Sequence, residues 1–292
     1  MNDSVKISAC DRFLPPGDGL YVNKKSGLVH SKGQMSGSEV LEFWNNQVFG
    51  SLNNKIYDSS LPFSQSRLAY CWLSFKTALT QGNLGIEFDN DLKIADFCSG
   101  KGYFYLMMEK FPLLACKHIA LVEASPSGVQ EAKNLARRKI EIHQSSIGLK
   151  RHESLPEDID VGFLNWSLCN MPNTYDALID LRRSIKDGGL LVVSESSRIL
   201  VPFKKSLHDY LNKEVPSDIH PFHFSRNTLS QALFGAGFEV IYENRWFDSD
   251  VLMLYAKKLP ELPNTIDSLV FDDYQSVIHF FERWAEMSDW LA

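Results

Sequence analysis

The sequence predicts an α/β fold built on a mostly parallel sheet, and three observations lead to that prediction. Short apolar runs alternate with amphipathic stretches from residues 92–97 onward, a pattern typical of parallel strands joined by helices. The first run passes directly into a glycine turn, Gly100–Gly102. The last two predicted strands, 237–242 and 251–256, are separated by too little chain for a helical crossover, so the final strand should be antiparallel.

The chain ahead of this sheet is rich in Gly, Ser, Asn and Pro and has the composition of turns rather than of a core. Two short apolar runs between turn signals, 20–22 and 28–30, are expected to pair as a hairpin. Apolar residues at helical spacing predict helices over about 40–48 and 63–79. We interpret residues 1–80 as an N-terminal hairpin and helical cover, which is expected to close the open side of the ligand pocket.

The predicted core spans residues 81–259. Its elements follow from the spacing of apolar residues, which changes between the spacing of strands and that of helices along the chain. Pro126 stands where a helix begins, because its fixed φ suits the first turn. The run Asp187–Gly189 is a turn signal between a helix and a strand. Besides the strands already named, we expect helices at 103–111, 126–138, 175–185 and 228–236, and strands at 118–123, 140–143, 160–165 and 190–195.

The tail, residues 260–292, carries an apolar stripe at helical spacing, which predicts one C-terminal helix. The stripe either docks on the rest of the chain or supplies a dimer contact, so monomer and homodimer both remain open. Its members are Val277, Phe280, Phe281, Trp284, Met287 and Leu291.

Composition narrows the class of protein. At 292 residues, with 44% hydrophobic and 23% charged residues, the chain resembles an ordinary soluble enzyme. A net charge of -6 argues against nucleic acid as the main partner, because phosphate binding needs a basic surface. The five cysteines form no Cys-x-x-Cys pair, which indicates free thiols, no zinc cluster or other metal site, and a reducing compartment. With neither a signal core nor a membrane-spanning run, we expect a cytoplasmic protein.

The glycine turn has the features of a cofactor site. Gly100 and Gly102 let the backbone turn sharply and approach a ligand, and the helix that follows offers unpaired N–H groups. Glu123 ends the next strand, where a carboxylate is placed to accept the hydroxyls of an adenosine ribose. Tyr105 occupies the third glycine position of the dinucleotide fingerprint, which disfavours a nicotinamide or flavin cofactor.

The motifs resemble those of class I S-adenosylmethionine-dependent methyltransferases. Ile94–Gly102 is similar to the first motif of that family, Leu121–Pro126 to the second, and Ser184–Val193 to the turn before strand five. Further on, Ile219–Leu229 and Ala236–Phe238 resemble a branch of bacterial small-molecule methyltransferases, several of which act on sugars or sugar-linked precursors.

This resemblance implies a Rossmann-like seven-stranded sheet with an antiparallel last strand and S-adenosylmethionine as cofactor. Some members of the branch begin with a zinc ribbon. Lys25–Val29 is similar to the end of such a ribbon, but the metal cysteines are missing.

The resemblance also implies a set of cofactor-binding residues. The backbone at Gly100 and Gly102 would lie against the amino-acid part of the cofactor. Asp96 would act at the entrance of the loop and Glu123 at the ribose, although a loop-fixing hydrogen bond for Asp96 and a solvated strand end for Glu123 are open alternatives. The remaining members are Ser145 beside the adenine, Asn165 at the carboxyl edge of the sheet, and Tyr57, an aromatic over the cofactor that could equally be a packing residue.

Two histidines are candidates for a general base. His220 and His223 flank Pro221 ahead of a helix that Ser225 is expected to cap, and histidine can accept a proton near neutral pH. His220 is favoured, because the following proline restricts its backbone. The alternative is that the histidines only hydrogen-bond the loop backbone. Relatives of the branch often have histidine at position 170, so Asn170 is expected to have lost any acid–base role.

Together these features predict an enzyme that transfers a methyl group from S-adenosylmethionine to a small polar metabolite, such as a sugar or a sugar-linked intermediate. Two alternatives stay open at this point. The protein could be a non-catalytic relative that binds the cofactor or a partner protein, since a fold does not fix a function. It could also methylate protein or RNA, which the acidic charge disfavours.

Overall fold

The computed structural model gives the elements on which these predictions are judged. It describes residues 3–33, 35–49, 62–84, 91–113, 116–136, 140–148, 155–198, 201–211, 220–244, 251–263 and 270–291. In chain order, the strands of these residues are β1 (Ser4–Lys6), β2 (Leu20–Asn23), β3 (Val29–Ser31), β4 (Leu92–Phe97), β5 (Cys116–Glu123), β6 (Glu141–Gln144), β7 (Ile159–Asn165), β8 (Ile185–Ser196), β9 (Phe222–His223), β10 (Phe238–Glu243) and β11 (Val251–Lys258). Their α-helices are α1 (Gly37–Phe43), α2 (Pro62–Thr80), α3 (Tyr103–Lys110), α4 (Pro126–Leu135), α5 (Thr174–Ser184), α6 (Leu207–Tyr210), α7 (Arg226–Gly235) and α8 (Tyr274–Leu291).

The large sheet has seven strands in the order β10-β11-β8-β7-β4-β5-β6. The strands from β8 to β6 run parallel, whereas β11 is antiparallel to both of its neighbours. The predicted Rossmann-like sheet with an antiparallel last strand is therefore confirmed. Because β4, β5, β7 and β8 are parallel, their carboxyl ends meet along one edge, where α/β proteins bind ligands.

The largest difference from the predicted strand bounds is at the start of β8. The sequence predicts a turn at Asp187–Gly189 and a strand from Leu190, but β8 already begins at Ile185. Ile159 pairs with Ile185 and Val161 with Leu190, so β8 advances five residues while β7 advances two. The extra residues form a bulge, which Gly188 accommodates in the left-handed region with φ +74°. The glycines that signal a turn here serve a bulge within the strand.

Both faces of the sheet are covered by helices, and the alternation of side chains along each strand divides the core in two. Ile94 and Phe163 pack on the side of α2 and α3, where Trp72 donates a hydrogen bond to the carbonyl of Phe111 over 2.7 Å. The next residue of each strand, Ala95 or Leu164, packs on the side of α5 and α7.

A second, antiparallel sheet with the order β1-β2-β3-β9 joins the N-terminal hairpin to a strand from the far half of the chain. The predicted hairpin is confirmed, because Leu20 pairs with Ser31 and Val22 with Val29. A sheet this small needs an apolar cover. Helix α8 supplies it, since Phe281 and Trp284 are buried in one cluster with the apolar face of the hairpin. Val277, Phe281 and Trp284 of the predicted stripe thus dock on the small sheet. Met287 is exposed, and the side chain of Leu291 lies outside the described residues.

All five cysteines lie among the described residues and are free thiols. A search of the described part of the chain for a helix both long and apolar enough to span a membrane finds none.

Candidate active site

The turn after β4 is shaped by residues in the left-handed region of backbone space. Cys98, Gly100 and Gly102 have φ values of +55°, +56° and +81°. A Cβ on Gly102 would lie only 3.2 Å from the Cβ of Ala132 in α4, so both the conformation and the space require glycine there. No side chain caps the amino end of α3, which begins at Tyr103, so its first N–H groups have no side-chain acceptor from the cap position.

Glu123 is held at the end of β5 by the glycine turn itself. One carboxylate oxygen accepts the N–H of Gly100 at 2.7 Å and the other accepts the N–H of Ser125 at 2.8 Å. The residue is 7% exposed, so it is a buried group and not a solvated strand end. Burial raises the pKa of Glu123, and the backbone N–H groups oppose that rise. A carboxylate offers about four lone-pair sites, so Glu123 can still accept a hydrogen bond from another donor.

Asp96 precedes the turn and is 2% exposed. Its Oδ2 atom is buried and has no hydrogen-bond partner among the described residues. Burial raises the pKa of Asp96 well above its ordinary value, and the nearby charge of Glu123 adds to the effect. Buried polar atoms are nearly always paired in folded proteins, so this oxygen is a candidate to pair with a polar ligand atom.

Asn165 shows the same feature at the end of β7. Both atoms of its side-chain amide are buried without a partner among the described residues. The next residue, Trp166, has φ +49°, and its N–H donates to the carbonyl of Ser194 over 2.7 Å. The chain therefore turns sharply where β7 meets the loop, and an unsatisfied amide stands at the carboxyl edge of the sheet.

The remaining predicted cofactor residues differ in what the structure says of them. Ser145 follows β6 and its N–H donates to the carbonyl of Glu123 over 3.0 Å, which places it beside the ribose candidate. Tyr57 lies outside the described residues.

The two histidines have different surroundings. His223 lies in β9, pairs with Val29, and places its Nδ1 atom 2.8 Å from the hydroxyl of Tyr210. Its carbonyl accepts a hydrogen bond from Arg198 over 3.1 Å, so it is bound into the small sheet. Burial lowers its pKa to about 3, and the neighbouring His220 and Arg198 contribute.

His220 precedes β9 and its Nδ1 atom contacts the side-chain oxygen of Asn170. That asparagine ends a short 3-10 helix, Leu168–Asn170, in the loop after β7. Burial lowers the pKa of His220 to about 4, so the imidazole is neutral at pH 7. The structure thus brings His220 to the loop that follows Asn165, and it builds His223 into the small sheet.

Glu195 was not among the predicted site residues. It stands near the carboxyl end of β8, is 2% exposed, and accepts the N–H groups of Leu168 at 2.9 Å and Cys169 at 3.3 Å. Burial raises its pKa to about 7. The sequence does carry a signal for it, because Glu195, like Glu123, is an acid that ends an apolar strand.

Arg67 of α2 is a second residue that the sequence did not indicate. Its guanidinium lies 4.0 Å from the ring centroid of Trp166, and its Nη2 atom donates to the hydroxyl of Ser196 over 3.2 Å. No sequence pattern near Arg67 predicts these contacts, because its partners are about a hundred residues away in the chain.

The comparisons with known proteins bear directly on this arrangement. A family model described as a methyltransferase domain matches residues 75–243, which is more than half of the chain. The chain belongs to this methyltransferase family. A search of the curated proteins finds no match.

Two solved structures are similar to this methyltransferase, and the first of them agrees with its fold. Magnesium protoporphyrin IX methyltransferase (ChlM) from Synechocystis PCC 6803, with bound SAH, is 13% identical, with a TM-score of 0.52, and the match covers 76% of this chain and 99% of that one. An S-adenosylmethionine dependent methyltransferase from Mesorhizobium loti is 15% identical, with a TM-score of 0.48, over 64% of this chain and 97% of that one. At 13% identity the likeness to the Synechocystis enzyme shows the fold alone.

The cofactor of this methyltransferase is S-adenosylmethionine, and the residues present fit it. A polar cofactor needs hydrogen-bond partners at the carboxyl edge of the sheet, and the Oδ2 atom of Asp96 lacks one. It also needs a backbone turn that it can approach closely, which the glycines at 100 and 102 provide. An acid with lone pairs to spare, Glu123, stands beside that turn.

Proposed function

We propose that this methyltransferase acts on a small polar metabolite, with a sugar or a sugar-linked intermediate as the leading class. The observation that carries the proposal is the unsatisfied amide of Asn165 at the carboxyl edge, because Asp96 is assigned to the cofactor. Both atoms of that amide are buried without partners among the described residues. A polar ligand can form hydrogen bonds with such groups, whereas an apolar acceptor would leave them buried and unpaired, which costs free energy.

We assign the cofactor to the residues around the glycine turn. The backbone at Gly100 and Gly102 lies against its amino-acid part, Asp96 acts at the entrance of the turn, and the carboxylate of Glu123 accepts the ribose hydroxyls. Ser145 flanks the adenine. When bound, S-adenosylmethionine supplies a methyl group on a positively charged sulfur, and the electrons of the broken C–S bond return to that sulfur as the acceptor forms its new bond.

We assign His220 to the acceptor side, and we move Asn165 there from the cofactor-binding set in which the resemblance had put it. The amide of Asn165 can donate and accept, so it suits an acceptor with hydroxyl groups. His220 is neutral at pH 7 because burial lowers its pKa to about 4. A neutral imidazole can take the proton that a hydroxyl or a carbon acid must lose as it is methylated, and later pass it to solvent.

The charge of the chain favours a small acceptor over a nucleic acid. A net charge of -6 provides no overall attraction for phosphate backbones. Free thiols at all five cysteines favour a reducing environment, and we place the enzyme in the cytoplasm.

The experiment that tests the proposal is an incubation of the full chain with cofactor labelled in its methyl group and a fractionated cell extract. We expect label in small polar metabolites, with sugars and nucleotide-linked sugars tested next as pure compounds. Label in protein or RNA would overturn the choice of acceptor. If the cofactor binds by calorimetry but no fraction accepts label, the protein is a non-catalytic relative and the proposal fails.

A further inference from the structure

The side chain of Asn170 has a defined orientation. Its Nδ2 atom lies 3.2 Å from the carbonyl oxygen of Trp166, and a carbonyl can only accept, so this atom is the amide nitrogen. The amide oxygen, Oδ1, therefore faces the other way, toward Nδ1 of His220. The hydrogen-bond network fixes the amide without any assumption about which end is nitrogen.

This orientation decides the tautomer of His220. An amide oxygen accepts hydrogen bonds and donates none, so Nδ1 of His220 carries the proton of the pair. A neutral imidazole has one protonated and one unprotonated nitrogen, so Nε2 is the unprotonated nitrogen that carries the lone pair. A histidine that acts as a general base needs such a nitrogen.

Both ends of the contact are fixed by the fold. On the side of Asn170, the carboxylate of Glu195 accepts the N–H groups of Leu168 and Cys169 and so holds the short helix that Asn170 ends. On the side of His220, strand β9 is paired with β3 of the N-terminal hairpin, with Phe222 opposite His30. The hairpin thus anchors the strand that follows the candidate base.

We propose that Asn170 is a positioning residue, which holds His220 in the tautomer whose Nε2 accepts the proton of the methyl acceptor. The role of Asn170 in turnover rests on the proposed function, but the tautomer does not. The lost acid–base role expected for this position is replaced by a hydrogen bond that orients the base.

Other titratable groups surround this pair and share its buried setting. His223 follows on the same strand, Cys169 and Glu195 lie behind Asn170, and Tyr210 and Arg198 contact His223. Any measurement of pH dependence at His220 therefore needs variants that change Asn170 alone.

The test begins with the full-length protein labelled with 15N-histidine, in which the ring nitrogens of each tautomer have distinct chemical shifts. Comparison with His220→Gln assigns the signals of His220 among the eight histidines. We expect wild type at pH 7 to show a protonated Nδ1 and an unprotonated Nε2. We expect Asn170→Leu to lose this preference and Asn170→Asp, which keeps an acceptor oxygen, to retain it.

Asn134→Leu is a matched control, because Asn134 is exposed on α4. Its side-chain oxygen accepts a hydrogen bond from Gln130, away from the His220 pair. A protonated Nε2 in wild type, or an unchanged tautomer in Asn170→Leu, would overturn the proposal whatever the enzyme acts on.

Turnover supplies a second readout once labelled extract has identified an acceptor. We expect kcat to fall on the order of 10- to 100-fold in Asn170→Leu, because a misoriented base or a wrong tautomer slows proton transfer. The KM for cofactor should stay unchanged. Asn170→Asp should restore most of kcat and move the acid limb of its pH profile upward, since a carboxylate stabilises the imidazolium.

The two proposals fail in different ways. The proposed function fails if wild type transfers no methyl group to a small metabolite, and the tautomer signals then still decide the orientation of His220. If the tautomer changes in Asn170→Leu but kcat does not, the positioning role is wrong while the proposed function stands.

Discussion

Two buried polar clusters of this molecule differ in how far their hydrogen bonds are completed. At the carboxyl edge of the large sheet, Asp96 and Asn165 keep buried polar atoms without partners among the described residues. Between the small sheet and α7, Arg198 is 2% exposed and donates to the carboxylate of Asp272 over 2.5 Å and to the carbonyls of Gly27 and His223, each over 3.1 Å.

The carboxylate of Asp272 is equally well satisfied. It also accepts the hydroxyl of Ser225 at 2.6 Å and the amide of Asn227 at 2.7 Å. A Cβ on Gly27 would lie 2.4 Å from the Cβ of Asp272, so the hairpin turn packs directly on this residue. A complete cluster joins parts of the chain, whereas an incomplete one leaves its hydrogen bonds to a ligand. The difference separates structural polar groups from binding groups.

The largest expected effect distinguishes the two histidines, which lie on either side of this division. We expect His220→Ala to lose turnover by ~100- to 10,000-fold, because it removes a general base, while cofactor affinity is kept. His223→Ala should lose less turnover, since that ring belongs to the structural cluster. Steady-state rates and calorimetry on both variants measure this. Equal, small losses would mean that neither histidine is a base.

Disruption of the complete cluster should lower the free energy of unfolding by a large amount. Asp272→Asn leaves the buried guanidinium of Arg198 without its counter-charge, which typically costs about 3 to 5 kcal/mol. Urea denaturation measures the change in the free energy of unfolding. Asp289→Asn is the control, because its ion pair with Arg12 is exposed on both sides and should cost little. Similar losses in the two variants would contradict the structural role of Asp272.

Cofactor binding tests the glycine turn. Wild type should bind S-adenosylmethionine with micromolar affinity or so, on the order of 8 kcal/mol. We expect Gly100→Val and Glu123→Ala each to weaken binding by about 100-fold, roughly 3 kcal/mol, through a blocked backbone approach and the loss of an acceptor. Calorimetry measures both.

Matched controls separate backbone strain from ligand contact. Gly82 also has a left-handed backbone, with φ +69°, but a Cβ there meets nothing within 4 Å. Gly82→Val and the exposed change Glu131→Ala should therefore leave affinity unchanged. Undiminished binding in Gly100→Val and Glu123→Ala would refute the placement of the cofactor.

In the incomplete cluster, removal of a charge should raise the free energy of unfolding instead of lowering it. Burial raises the pKa of Asp96 well above its ordinary value, so its charged form destabilises the free protein as pH rises above about 4. We expect Asp96→Asn to raise the free energy of unfolding at pH 8 and to leave it unchanged below pH 4, where the carboxyl is protonated in both the folded and the unfolded state. Urea denaturation at both pH values checks it. A loss of stability at pH 8 would mean that Asp96 is a structural residue.

The smallest effect concerns pH. Burial lowers the pKa of His220 to about 4, so the base stays unprotonated as pH falls from 7 to 5 and is lost only as pH passes through that value. We expect kcat/KM at pH 5 to remain within about twofold of its value at pH 7, given saturating cofactor. Calorimetry at both pH values controls for cofactor binding. An acid limb near pH 6.5 would show an ordinary, solvated histidine.

The cofactor side of the candidate site follows from local sequence patterns more than the acceptor side does. Gly100, Gly102 and Glu123 are recognisable because a turn between strand and helix and an acid at a strand end are local patterns. Arg67 was missed because it acts through a partner distant in the chain, Ser196, whereas Glu195 had the same local signal as Glu123.

The sequence by itself determined the strands and helices of the large sheet, its antiparallel last strand and the glycine turn, since these follow from apolar period, connection length and backbone conformation. It did not predict β1, β9 or α6. Tertiary structure alone decided that α8 covers the hairpin and that Asn170 meets His220 across 50 residues of chain. Such contacts depend on how whole elements pack, and no local pattern encodes the partner. The same residue types therefore became a structural cluster in one place and an open site in the other.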